Sequence, residues 1–298
     1  MSLDDRTRPD VRPVTPVRRR RRTLSATLLS VWGALVLVFL FLPIVVIVVY
    51  SFNTGRLLTA WQGFGFDAYA AGLSRPTIRT AVGTSLQTGV LAALLSAVLG
   101  SLAGLALARR SGRWMAALTL LLGLTLVTPE IMDAISLLGW FVSLQTDAGI
   151  PLFGNGVARL VISHSVLSTA VVTFIVRARV AGLDSRLEEA AADLYATPWR
   201  RFRDVTLPLA FPGVLAGSLM AFTLSLDNTI VASFVQLPGT TPWPVYVFSA
   251  LRAALRPEIA AVSTLMLLLT LVALAAVAFV LRRSGESATD IARTMAGR

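Results

Sequence analysis

Long uncharged segments dominate the hydrophobic pattern of this chain. Five of them contain no charged residue, at 23–55, 80–108, 160–176, 205–226 and 259–281. A sixth, 114–142, is apolar apart from Glu130 and Asp133. A helix needs about 20 mostly apolar residues to cross the hydrocarbon core of a bilayer, and each segment is long enough or nearly so. The pattern predicts an all-α integral membrane protein with six transmembrane helices.

The composition agrees with a chain that is embedded in a lipid bilayer. Hydrophobic residues make up 55% of the 298 and charged residues 14%, against about 25% in soluble domains. We expect residues 24–283 to form one transmembrane domain, and the polar tails 1–23 and 284–298 to be disordered. Small residues at four-residue spacing, Gly100 with Gly104 and Gly213 with Gly217, favour a tight helix bundle.

The basic residues predict the orientation of the chain. All 27 are arginines, and 21 of them fall in the two tails, the 109–113 turn and the 177–204 segment. The positive-inside rule places that side in the cytoplasm, so we expect both termini inside. The arginine run at 18–22 is interpreted as a topology determinant near anionic lipid, not as a site for nucleic acid.

Missing residue types exclude several kinds of chemistry. Without lysine the chain has no GK[ST] phosphate loop, and without cysteine it has no thiol nucleophile, disulfide or thiolate metal site. The one histidine, His164, lies in an apolar segment, and we interpret it as a hydrogen-bonded packing residue. We therefore predict that the chain is not an enzyme and holds no metal or cofactor of its own.

Four polar residues in the apolar segments are candidates for a substrate path. Asp227 and Asn228 follow an uncharged stretch, while Glu130 and Asp133 are one helical turn apart. An ionisable side chain in a membrane span is costly and marks a functional site by default. Carboxylates without an opposing lysine suit a cationic solute. The alternative role for each is an interhelical hydrogen bond.

One charged segment, at about 184–207, interrupts the apolar pattern. Ser185 followed by Glu188 has the spacing of a capping box and predicts a short helix. Thr197 followed by Pro198 predicts the start of a second. Two short helices joined at an elbow present a rigid surface to a protein partner, whereas the alternative is a loop that lies on lipid headgroups.

The end of this charged segment contains two further signals. Pro208 and Pro212 are expected to interrupt the helix before the next membrane span, because proline lacks the N–H that an α-helix requires. The acids lie mainly in the first short helix, and Trp199 and Phe202 accompany the arginines of the second.

This segment resembles the EAA signature of the permease subunits of ABC importers. The matching positions are Glu189, Ala190, Ala191, Val205, Leu207 and Pro208, and Tyr195 occupies the remaining position of the signature. The stretches LEEAAADL, VTLPLAFPG and AFTLSLDN resemble the spermidine/putrescine branch of that family, and the likeness extends over about 32–281. The resemblance implies a type I importer permease fold, similar to MetI, with a pair of coupling helices.

The resemblance also implies partners and a location. A cytoplasmic ABC ATPase dimer, which holds ATP and Mg, is expected to grip the coupling segment. A sister permease and an external solute-binding protein complete the importer in the bacterial inner membrane, with polyamine as cargo. The residues expected to couple to the ATPase are Glu188, Glu189, Ala190, Ala191, Tyr195, Leu207 and Pro208.

Tyr195 departs from the family pattern, in which its position is usually glycine. Glycine allows a left-handed turn there and tyrosine does so only at a cost. We therefore expect a differently shaped elbow or an adapted partner groove.

Two other kinds of cargo and one other class of transporter stay open. Ferric iron would tolerate an acidic path, whereas an aminophosphonate should require Arg79 or Arg159 within it. A secondary carrier driven by protons or sodium is the alternative from another class. It would transport without an ATPase, and its coupling ion should require the embedded acids.

Overall fold

The computed structural model describes residues 24–184, 186–252 and 256–283. Within these ranges the chain is helical, and its only β-type pairing is an isolated bridge between Asn53 and Phe64. The described residues divide into two units, one ending at Val46 and the other beginning at Ile47. The predictions for the tails 1–23 and 284–298, and for Ser185 as a helix cap, fall on residues outside the described ranges.

The helices are numbered in chain order. They are α1 (Leu24–Tyr50), α2 (Asp67–Ser74), α3 (Pro76–Arg109), α4 (Arg113–Val127), α5 (Glu130–Thr146), α6 (Gly156–Ala181), α7 (Arg186–Asp193), α8 (Pro198–Arg201), α9 (Leu207–Asp227), α10 (Ile230–Val235), α11 (Trp243–Leu251) and α12 (Pro257–Arg283). A short 3-10 turn, Pro151–Gly154, precedes α6.

Five continuous helical segments in the described ranges are long and apolar enough to cross a membrane. They are α1, α3, α6, α12 and the path from Pro198 to Asp227. The remaining predicted segment, 114–142, is a pair of helices, α4 and α5, bent by 108°. Thr128 is extended (φ −62°, ψ 130°), because the residue before a proline, here Pro129, avoids the helical conformation. The count of six holds when this bent pair is taken as one span.

Glycines bring α3 and α9 into close contact with α6. A Cβ on Gly100 would lie 2.7 Å from the Cβ of Val172, and one on Gly217 would lie 3.1 Å from Cγ1 of the same valine. Gly104, one turn later in α3, and Gly213, one turn earlier in α9, approach the next turn of α6. The small-residue pairs therefore form the contact among these three helices, as expected, and Val172 is fully buried between them.

The prolines that follow the charged segment do not interrupt the helix. A π-helical turn, Phe202–Thr206, joins α8 to α9, and Pro212 lies inside α9. The predicted interruption at Pro208 and Pro212 is therefore wrong. The wider π turn directly before Pro208 accommodates a residue whose ring displaces a backbone carbonyl and whose nitrogen carries no hydrogen.

Candidate functional site

Residues 186–208 form an exposed elbow in which α7 and α8 are the two predicted short helices. Thr197 caps α8, because its Oγ1 accepts a hydrogen bond from the backbone N–H of Arg200 at 3.4 Å. Pro198 occupies the first helical position, where no N–H is needed. The cap predicted from Thr197 and Pro198 is confirmed, and the backbone of the elbow is defined by local sequence.

The corner of the elbow is a Schellman motif closed at Tyr195. The N–H of Ala196 donates to the carbonyl oxygen of Ala191 at 3.0 Å, and the N–H of Tyr195 donates to that of Ala192 at 2.9 Å. Tyr195 has φ 59° and is the one non-glycine residue with positive φ in the described ranges. The tyrosine thus adopts the left-handed conformation that glycine prefers, and the predicted change in the shape of the turn is not seen.

Replacing Tyr195 with glycine should stabilise this corner by about 1 kcal/mol, the typical cost of a Cβ in the left-handed region. The side chain is 95% exposed, so little packing is lost. Hydrogen exchange at the amide of Ala196 measures the effect, and we expect roughly fivefold slower exchange than in the wild type. Tyr195→Ala keeps the Cβ and should gain nothing; equal protection in the glycine and alanine variants would contradict the assignment of strain.

Glu188 faces the helix bundle rather than the outside of the elbow. Its Oε1 lies 2.7 Å from Nη2 of Arg109 and accepts a hydrogen bond from Oγ1 of Thr206 at 2.8 Å. Arg109 ends α3, and Thr206 ends the π turn before α9. One carboxylate therefore ties α7 to both of those helices, and Glu188 is engaged within the chain.

The outer surface of the elbow is apolar and bordered by charge. Trp199 is 67% exposed, and Leu187 and Leu194 of the same elbow are also exposed. Large apolar side chains exposed together in a charged segment are typical of an interaction surface. Four of the other predicted contact residues are exposed: Glu189, Ala190, Leu207 and Pro208. Ala191 is half-buried.

The four predicted path residues come together around two cavities, which we call the acid cavities. One, of about 140 Å³, is lined by Glu130, Asp133 and Asn228 among others. The other, of about 260 Å³, is lined by Glu130, Asp227 and Asn228 together with His164. Glu130 and Asn228 line both, so residues nearly 100 positions apart in the sequence share one region.

Both acid cavities lie where helices are interrupted. Thr128 and Glu130 border the break between α4 and α5, and Asn228 and Thr229 form the break between α9 and α10. Non-helical backbone at membrane depth is tolerated where it is buried in protein or lines a cavity. Discontinuous helices are also where transporters commonly place their binding sites. The backbone and the carboxylates therefore indicate the same region.

His164 occupies a position that sequence reasoning assigned only to packing. Its Nδ1 lies 2.6 Å from Oγ of Ser225, which confirms the hydrogen bond between α6 and α9. Its Nε2, and Oδ1 of Asn228, are buried and have no hydrogen-bond partner in the described ranges. Buried polar atoms without partners are rare. In the sequence, the one sign of a role for this residue is that a single histidine lies in an apolar helix. That sign does not distinguish a packing residue from one that binds a ligand.

No arginine in the described ranges lines either acid cavity. Arg159 is 3% exposed and donates from Nη2 to Oε1 of Gln145 at 2.6 Å and from Nε to the carbonyl oxygen of Phe153 at 2.5 Å. Arg79 is exposed. Across the described ranges, no ion pair joins an arginine to any of the three path carboxylates.

Known proteins resemble the chain over most of its length. The family model for binding-protein-dependent transport system inner membrane components matches residues 96–287. The chain is 36% identical over 244 residues to the putrescine transport system permease protein PotI of Escherichia coli (strain K12), which covers 80% of this chain and 86% of PotI. It is 35% identical over 234 residues to the spermidine/putrescine transport system permease protein PotC of the same strain, with coverages of 78% and 86%.

A more distant relative and a solved structure complete the comparison. The putative 2-aminoethylphosphonate transport system permease protein PhnV of Salmonella typhimurium (strain LT2) is 26% identical over 271 residues, with coverages of 85% and 94%. A bacterial alginate ABC transporter, solved in complex with an alginate pentasaccharide-bound periplasmic protein, contains a chain of the same fold. Its TM-score is 0.67 at 18% identity, with 87% of this chain and 93% of that chain covered.

The predicted fold, that of a type I ABC importer permease, is confirmed by the helices and by this structural likeness. The family match and the PotI and PotC identities confirm the resemblance on which the partners were predicted. The chain therefore belongs to the family of inner membrane components of binding-protein-dependent transport systems, and it is a multi-pass permease subunit of an ABC importer.

Proposed function

We propose that this permease imports polyamines, with putrescine or spermidine as cargo, through a path shared with a sister permease. The proposal rests on the acid cavities, where three carboxylates and an unpartnered amide oxygen gather without an arginine. Polyamines carry ammonium groups and no anionic group, so carboxylates attract them. The cargo named for PotI and PotC supports the same choice.

An aminophosphonate is the second candidate cargo, because PhnV is a relative. A phosphonate group is best recognised by arginine, which donates two parallel hydrogen bonds. The absence of arginine from the described lining of the acid cavities favours a polyamine over this cargo. Ferric iron has less support, because no three histidine or carboxylate side chains in the described part of the chain are arranged so that they could hold one metal ion.

The elbow is the proposed contact with a cytoplasmic ABC ATPase dimer. The ATPase binds ATP and Mg, since this chain has no phosphate loop. Closure of the ATPase dimer moves the elbow, and the contacts of Glu188 with Arg109 and Thr206 transmit that movement to α3 and α9. The acid cavities then open to the outside, where an external solute-binding protein delivers the cargo. The arginine distribution supports cytoplasmic placement of the elbow and both termini.

Uptake by the complete transporter tests the cargo. In cells that lack their own polyamine uptake, we expect saturable import of labelled putrescine that spermidine inhibits and 2-aminoethylphosphonate does not. Import should cease when the Walker lysine of the ATPase is replaced, because the energy comes from ATP. Unimpaired import with the inactive ATPase would favour an ion-coupled carrier, and inhibition by the phosphonate would overturn the polyamine assignment.

A further inference from the structure

We propose that His164 is a cargo-binding residue whose Nε2 accepts a hydrogen bond from an ammonium group of the polyamine. This inference rests on the proposed function and adds a residue that the carboxylates alone do not indicate. His164 is 2% exposed, and its Nε2 is buried beside a cavity with no protein partner in the described ranges. An imidazole used only for packing would leave this nitrogen unsatisfied at a cost.

Ser225 pairs with one ring nitrogen of His164, and its hydroxyl can either accept a hydrogen bond from Nδ1–H or donate one to Nδ1. Cargo binding at Nε2 requires the tautomer in which the hydroxyl accepts. In a neutral imidazole one nitrogen donates and the other accepts. When Nδ1–H donates to Oγ of Ser225 across the 2.6 Å contact, Nε2 has a free lone pair directed away from that bond. Nε2 is then an acceptor, which is the role that an ammonium ligand requires. The serine therefore acts on cargo binding through the histidine and is a positioning residue.

The acceptors in this cavity match the donors of a primary ammonium group. Such a group has three N–H donors and no acceptor. The larger acid cavity is lined by His164, Asn228, Glu130 and Asp227, and Nε2 of His164 and Oδ1 of Asn228 have no hydrogen-bond partner in the described ranges. One neutral nitrogen, one amide oxygen and one carboxylate together satisfy all three N–H groups. A fully methylated nitrogen has no N–H and gains nothing from His164 or Asn228.

A pair of substitutions at His164 separates cargo binding from packing. His164→Asn places a polar atom near the position of Nδ1, so it retains a partner for Ser225 but removes the acceptor at Nε2. His164→Gln places a polar atom near Nε2 and loses the bond to Ser225. A packing role requires the asparagine variant to be the milder one, whereas a role in cargo binding requires the glutamine variant to be milder.

The experiment measures labelled putrescine uptake by the complete transporter over a range of concentrations. We expect His164→Asn to raise KM about tenfold, the effect of losing one hydrogen bond to a charged group, with maximal rate and assembly unchanged. His164→Gln should stay within about threefold of the wild-type KM. Inhibition by putrescine with fully methylated nitrogens should be the same in the wild type and both variants.

The outcomes distinguish this inference from the proposed function. If the wild-type transporter imports neither putrescine nor spermidine, both are overturned. If it imports putrescine and His164→Asn leaves KM unchanged, only the role of His164 is overturned. Should the asparagine variant fail to assemble, the glutamine variant decides. A tenfold higher KM in an assembled His164→Gln transporter would contradict the hydrogen bond from the ammonium group to Nε2, and a KM near the wild-type value would support it.

Discussion

Asp227→Asn should lower putrescine uptake at least about tenfold, while the amount of assembled transporter should stay the same. The substitution keeps the shape of the side chain and removes its charge in a cavity that contains no opposing arginine in the described ranges. A hydrogen bond to a charged group contributes about 1.5–3 kcal/mol, and about 1.4 kcal/mol corresponds to a tenfold change in affinity. The initial rate of labelled putrescine uptake below KM measures the loss.

Asp147→Asn is the matched control for this prediction. Asp147 caps the other end of α5, is exposed, and lines neither acid cavity. Its removal changes the net charge by the same amount, so a general effect of charge would lower uptake equally in both variants. Undiminished uptake with Asp227→Asn would remove this carboxylate from the path.

Glu189→Arg should remove the proposed ATPase partner from the purified transporter. Glu189 is exposed on the elbow beside apolar side chains that have no other cover within the described ranges. Reversing a charge at a protein interface replaces an attraction with a repulsion that costs several kcal/mol. We expect the ATPase recovered with the affinity-tagged permease to fall at least about tenfold, measured by quantitative mass spectrometry of the complex.

Glu188→Gln is the companion variant because the neighbouring glutamate faces inwards. It should retain the ATPase at wild-type yield, since the ion pair it loses is with Arg109 of the same chain. Uptake per ATP hydrolysed should nevertheless fall several-fold, because α7 is then held less firmly to α3. If Glu188→Gln loses the ATPase and Glu189→Arg retains it, the assignment of inner and outer faces on the elbow is reversed.

The membrane-spanning helices can be predicted from the long apolar segments, because the thickness of the bilayer sets the length that each segment must have. The apolar pattern does not reveal the bend at Pro129, because Glu130 and Asp133 look like two polar positions within one span. The proline itself is the signal, since it keeps the residue before it out of the helical conformation. The continuous path through Pro208 depends on a π turn, whose position the proline pattern does not reveal.

The sequence identifies single candidate residues for the site but does not show how they are arranged in space. The cost of an embedded charge identifies Asp227 and Glu130 individually. They line one cavity together because the start of α5 lies near the end of α9, a tertiary relation that no local pattern contains. The same holds for His164, whose partner Ser225 is 61 positions away. Tyr195 depends on local contacts instead, because backbone hydrogen bonds within the elbow hold it in a left-handed turn that its side chain disfavours.

The contact between the elbow and a cytoplasmic ATPase is tested most directly by single-cysteine labelling, because the chain has no cysteine of its own. Leu194→Cys lies at the exposed corner of the elbow. Trp61→Cys lies between α1 and α2, and a cytoplasmic N-terminus followed by one span predicts that this loop is external. A membrane-impermeant maleimide should label Leu194→Cys only in inside-out vesicles, and only when the ATPase has been stripped away; it should label Trp61→Cys only in spheroplasts. Labelling of Leu194→Cys in spheroplasts, or equal labelling with and without the ATPase, would contradict the account.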